Sequence, residues 1–226
     1  VASHSAFSYG PISNMHQALM RLGVREIRNI AITVEVMNSL SRLRLGVDWR
    51  DYWSHSLLSA RLTDKLFSTF AKPCGMEYLA GLIHDVGKLV IARCFPQQHE
   101  QIAEGIEAGD GTELEIERLA LGIDHARIGA ALAIQLNLNP CIAQAICFHH
   151  DPKHPENVDE GCGDNGLLGA CVALAAVISD AVHMDEDTAK AIVPEDLPEW
   201  QWFEDFDQKG NVSLDLETEL KNVDSD

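Results

Sequence analysis

Basic side chains are scarce: 17 Lys and Arg stand against 35 Asp and Glu, for a formal net charge of -18. A chain so acidic gains nothing from counterion release, so duplex nucleic-acid binding is excluded as a first reading. Long apolar runs are also missing. The longest, Leu167 to Ile178 (LLGACVALAAVI), is too short to span a bilayer and ends at Ser179 and Asp180, so no membrane span is expected. The six cysteines form no CxxC pair and lie mostly in apolar helical stretches. That pattern reads as reduced thiols of a cytoplasmic protein rather than disulfides or a zinc site. Val1 to Gly10 carries neither the basic nor the apolar region of a signal peptide. No segment alternates apolar with polar residues in the manner of a strand.

What remains is helical periodicity, and the chain reads as all-α. Ile12 to Leu22 stops at Gly23, and Val24 to Leu43 continues the spacing. Asp48 is a natural N-cap for a helix to about Phe70, closed by Lys72-Pro73. Residues 75 to 95 (GMEYLAGLIHDVGKLVIARCF) are apolar on nearly every side and split at Gly87, which places them centrally. Helices follow at Pro96 to Ala108, Glu113 to Leu121, Asp124 to Leu138, Pro140 to His150 and Leu167 to His183, with 151–166 as a loop. Beyond Met184 the charge shifts: residues 185–226 hold 14 acidic and 3 basic side chains. The expected organisation is therefore a helical domain over 1–184 and an acidic extension over 185–226. Within the extension, Trp200, Trp202 and Phe203 offer aromatics that could dock on the body or on a partner protein.

Ten histidines are present, and two adjacent pairs stand out, His84-Asp85 and His149-His150. Flanked by Leu82, Ile83 and Val86, an imidazole and a carboxylate cost free energy unless paired or coordinated. A His–Asp hydrogen bond stapling helices would satisfy that demand, and a double histidine can also close a helix whose dipole favours imidazolium. His55, His125 and Asp180 join these pairs on separate core helices, and their joint occurrence points to one shared site. Adjacent helical residues point about 100° apart, so His84 and Asp85 reach one site only between several helices. Gly87 permits close approach there. Lys88 and Arg127 are candidate phosphate contacts, with surface ion pairs as the alternative. Asp51 shares a helix face with His55 and could accept its N–H, and Glu117, eight residues before His125, is a second candidate of that kind.

The order His55, His84-Asp85, Asp180 resembles the HD superfamily of metal-dependent phosphohydrolases, and His125 with His149-His150 resembles the further ligands of its HD-GYP branch. The blocks SAFSYGPISNMHQALMRLGVREIRNIA, WSHS, GLIHDVGK and ICFHHDP are similar to the HDOD (HD-related output domain) family over about residues 5 to 183. HDOD domains also carry a helical portion ahead of the point where this resemblance starts. The loop DPKHPENVDEGCG lacks a GYP sequence, which argues against cyclic di-GMP as substrate. The resemblance implies a multi-helix HD-like bundle. It implies that His55, His84, Asp85 and Asp180 bind one metal, and that Asp85 bridges to a second held by His125, His149 and His150. One or two divalent transition metal ions (Fe, Mn, Zn, Co or Ni) suit those ligands. Asp85 and Lys88 then become the catalytic candidates, and two ions against two carboxylates leave the pocket positive despite the acidic chain. The implied function is hydrolysis of a phosphoester or nucleotide. Many HDOD domains lack the ligands and serve as signalling scaffolds, so a non-catalytic domain that binds metal or a partner protein is the other implied reading.

Overall fold

The computed structural model describes residues 15–40, 42–43, 45–153, 166–184 and 198–203. α1 (Met15–Leu40) belongs to a compact unit reaching Arg42 and is two helices run together. The first stops at Gly23, as expected, where φ is 79°, a left-handed value that suits glycine, and the second follows directly.

A second compact unit begins at Leu43 and carries the remaining described elements. These are α2 (Trp49–Phe70), α3 (Glu77–Ile83), α4 (Val86–Cys94), α5 (Pro96–Ala108), α6 (Glu113–Leu121), α7 (His125–Gln135), α8 (Pro140–Phe148) and α9 (Leu167–Met184), followed by a 3-10 helix, Pro198–Phe203. No strand occurs among the described residues, so the all-α expectation holds. Local chemistry explains the starts. Asp48 accepts the N–H groups of Arg50 and Asp51 at 2.9 and 3.2 Å, and Thr112 with Glu115 forms a capping box. Asp124 accepts the Arg127 N–H at 2.9 Å, and Asn139 accepts that of Cys141 at 2.9 Å with Pro140 in the first turn. α7 ends at Gln135, short of the expected Leu138, because Asn137 turns to a left-handed φ of 57°.

α9 is buried on nearly every side from Leu167 to Ile178 and packs along α2, which in turn packs on α3. α4 lies against α7, and α7 against α8. Two glycines set these approaches. A Cβ on Gly81 would stand 2.8 Å from the Ala60 Cα and the Ser59 carbonyl oxygen of α2, and one on Gly87 would collide with the carbonyl oxygen of His125. Gly87 therefore serves contact between helices and does not break its own. The expected split at Gly87 falls instead at His84-Asp85, where α3 ends and α4 begins. That break frees the pair from the 100° divergence of a continuous helix.

The aromatic segment docks on the body. Phe203 is 1% exposed, and its ring stacks on Phe70 at 4.8 Å, with Trp200 at 6.2 Å from the same ring. Most of the 151–166 loop, and the acidic segments 185–197 and 204–226, lie outside the described residues. Among those described, no helix is long and apolar enough to cross a membrane.

Candidate metal centre

Each core histidine spends one ring nitrogen on an anchor. The Nδ1–H of His84 donates to the Gly81 carbonyl at 2.8 Å, and that of His149 to the Ile146 carbonyl at 2.7 Å. A carbonyl oxygen has no proton to give, so both imidazoles carry theirs on Nδ1 and present a lone pair at Nε2. His55 Nδ1 lies 3.1 Å from Asp180 Oδ1, and His125 Nδ1 lies 2.8 and 3.0 Å from the two Glu117 oxygens. Carboxylate anchors select the same tautomer.

All four Nε2 atoms then face Asp85. His55 and His84 stand 3.6 and 3.5 Å from Oδ2, while His125 and His149 stand 3.3 and 3.7 Å from Oδ1. Nε2 atoms also face each other, His55 to His84 at 3.1 Å and His150 to His125 at 3.1 Å. Bare lone pairs at these distances repel one another and the anion, so each close pair calls for a proton or a metal cation between its members, and at His125 a proton can take that place. The buried Nε2 of His149 has no hydrogen-bond partner. Three donor groups meet this spacing among the described residues, each with its ligand atoms within 4.8 Å of one another: His55-His84-Asp85 and His125-His149-His150 on the two sides of Asp85, and Glu113-Glu117-His125 beside them. Asp85 turns one oxygen to each of the first two. Nitrogen and carboxylate donors at this spacing fit divalent transition metals.

The proton affinities follow the same geometry. Burial lowers the His84 imidazole to about 4 against the pull of Asp85, and burial with the nearby His125 lowers His150 to about 4. Burial and the His150 ring hold His149 well below its ordinary value, so these rings are neutral and ligand-ready at pH 7. His125 differs. Burial acts to lower it, but its hydrogen bonds to Asp85 and Glu117 prevail and raise it to about 9. Burial opposes ionisation of Asp85, yet His84, Lys88 and His125 outweigh it and hold the carboxyl well below the usual range. The Lys88 amine lies 3.0 Å from both Asp85 Oδ2 and Glu113 Oε2. Burial disfavours its charge, but those two carboxylates keep it firmly an ammonium.

The structure thus brings His55, His84, Asp85, Lys88, His125, His149 and His150 together. Asp180 meets His55 at the Nδ1 edge, with a side chain 70% exposed, and stands apart from the Nε2 groups. Asp51 is exposed, and the acceptor role considered for it is filled by Asp180. Arg127 is exposed at the start of α7 and contributes its backbone N–H to the Asp124 cap. Glu117 is more than a secondary candidate: buried, it accepts the His125 backbone N–H at 2.7 Å as well as the ring. Glu113 escaped the sequence reading altogether. Its signal was the i,i+4 pair Glu113 and Glu117 on the helix that leads into His125.

Fold and site together define an HD-type helical domain with a histidine and aspartate centre. Residues 1–152 match the family model described as HDOD domain, and the chain belongs to the HDOD family. It is 25% identical over 150 residues to an uncharacterized protein of Treponema pallidum (strain Nichols), a match covering 62% of this chain and 28% of that one. The chain thus spans little more than a quarter of that curated relative. An HDOD domain protein of unknown function from Geobacter sulfurreducens shares the fold with a TM-score of 0.71 at 23% identity, over 96% of this chain and 72% of that one. A Shewanella amazonensis SB2B protein, described provisionally as a phosphohydrolase, gives 0.66 at 20% identity over 95% and 73%. At such identities the likeness is one of fold.

Proposed function

We propose that this domain holds one or two divalent transition metal ions and hydrolyses a phosphoester. The convergence of four histidine Nε2 atoms on both oxygens of Asp85 carries the proposal. His55, His84 and Asp85 Oδ2 would hold one ion; His125, His149, His150 and Asp85 Oδ1 would hold the other. When bound, such ions supply Lewis acidity toward phosphoryl oxygens and acidify water. Asp180 and Glu117 orient the His55 and His125 rings through their Nδ1–H groups. Lys88, half-buried beside Asp85, offers an ammonium to an anionic substrate, and exposed His150 lies at the solvent side. Cys74, Cys94, Cys141, Cys147 and Cys171 are free thiols, which supports a reducing, cytoplasmic setting.

The test is turnover of p-nitrophenyl phosphate and its bis ester by protein reconstituted with Mn, Fe, Zn, Co or Ni, beside Asp85→Ala. Turnover by wild type that is lost in the variant is the expected result. Bound metal with no turnover of any phosphoester overturns the proposal in favour of a signalling module acting on a partner protein. The far greater length of the Treponema pallidum relative, most of which lies outside the matched stretch, favours that second reading.

A further inference from the structure

The phosphoester reading leaves the substrate class open, and the inference here rests on that reading. Lys88 is the ammonium that touches Asp85, but it is already shared with Glu113 at 3.0 Å on each side. Glu117 is buried and turns both its oxygens to His125. Two carboxylates therefore share one ammonium, and Glu117 is spent on His125. Beside them α4, α5 and α6 line a half-open cavity of about 110 Å³, with Lys88, His99, Glu113 and Glu117 as its polar lining and Ile91, Ile102, Ala103 and Ile106 as its apolar walls.

Near neutral pH a phosphomonoester brings two negative charges and one organic substituent, whereas a phosphodiester brings one charge and two substituents. The extra charge of a monoester meets the Glu113 and Glu117 carboxylates, where partial desolvation strengthens repulsion. The extra substituent of a diester meets an apolar recess. We propose that the substrate is a phosphodiester, that Glu113 discriminates it from monoesters, and that the cavity between α4, α5 and α6 receives one ester substituent. Water adds at phosphorus, one P–O ester bond breaks, and the departing oxygen takes a proton from that water, giving an alcohol and a phosphomonoester. The monoester product then loses a proton and acquires the second charge that Glu113 disfavours, which promotes its release.

Two measurements on the metal-loaded full chain test this at pH 8. Calorimetry compares binding of diphenyl phosphate with phenyl phosphate, and steady-state kinetics compare bis(p-nitrophenyl) phosphate with p-nitrophenyl phosphate. The diester should lead by on the order of tenfold in both affinity and kcat/KM. Glu113→Gln should shrink that ratio about tenfold by improving the monoester. Ala103→Leu, which narrows the cavity that Ala103 lines, should raise KM for the diester more than for the monoester. Equal or better handling of the monoester by wild type, or an unchanged ratio in Glu113→Gln, overturns the inference and leaves the phosphoester reading standing. Loaded wild type that binds and cleaves neither ester removes both.

Discussion

Raising the pH of a metal titration from 7 to 9 should tighten binding at the His125-His149-His150 group by a factor of about ten per pH unit. The reason is competition at one atom. In the metal-free protein the His125 imidazole, raised to about 9, donates Nε2–H to Asp85 at 3.3 Å while Nδ1–H is held by Glu117 at 2.8 Å. A metal needs the Nε2 lone pair that this proton occupies. At pH 7 displacing it costs on the order of 3 kcal/mol, a hundredfold in apparent affinity. His84 and His150, lowered to about 4, are already deprotonated and add no slope in this range. Calorimetry in buffers of different ionisation enthalpy counts the protons, and one should leave for the ion bound at the His125 group at pH 7 with none leaving above about pH 10. Glu117→Gln removes one of the two carboxylates that sustain the imidazolium, so the affinity should level off at a lower pH. Its plateau should also fall by about 10- to 100-fold, because the ring loses its charged anchor. A flat affinity between pH 7 and 9, or the same profile in Glu117→Gln, refutes the reasoning.

The same groups predict an arched stability profile for metal-free protein. The folded value of His125 lies above the ordinary 6.5, so its contribution is full below pH 6.5 and fades as pH rises through about 9. His84 and His150 lie below 6.5, so theirs is full above 6.5 and fades as pH falls toward about 4. Thermal melts in chelator should peak near pH 6.5 to 7, and a monotonic profile across this range would count against the assignment. Gly87→Ala should destabilise by about 2 kcal/mol or more and impair metal uptake, since its Cβ drives α4 off the His125 carbonyl. Urea unfolding at wild-type midpoint would show that no such contact exists. Phe203→Ala should cost about 3 kcal/mol by emptying the stack on Phe70, and an unchanged urea midpoint would mean that the segment is not docked.

The histidine pairs were legible in the sequence because, inside GLIHDVGK and ICFHHDP, a nearby carbonyl can satisfy one ring nitrogen but leaves the other and the Asp85 carboxylate in need of a partner. The acids that orient the rings were harder to see. Periodicity showed that Asp51 shares a face with His55, but which acid reaches the Nδ1 edge depends on α9 lying along α2, and there Asp180 takes the place. Glu117 reaches His125 only because Gly122, at φ 74°, turns the chain tightly between α6 and α7. Gly87 misled in an instructive way. A glycine in an apolar helix reads as a break, but here it is a contact point, and the break falls on the residues that must share a site. Helix existence and core burial were readable from local pattern; the partners across helices are a property of packing.

Metal content tests the central claim most directly. Wild type purified without chelator, or reconstituted with Fe, Mn, Zn, Co or Ni, should carry one or two ions per folded chain by elemental analysis, and Asp85→Ala should carry fewer. Wild type that stays metal-free under every reconstitution, or Asp85→Ala that loads as fully as wild type, would contradict the account.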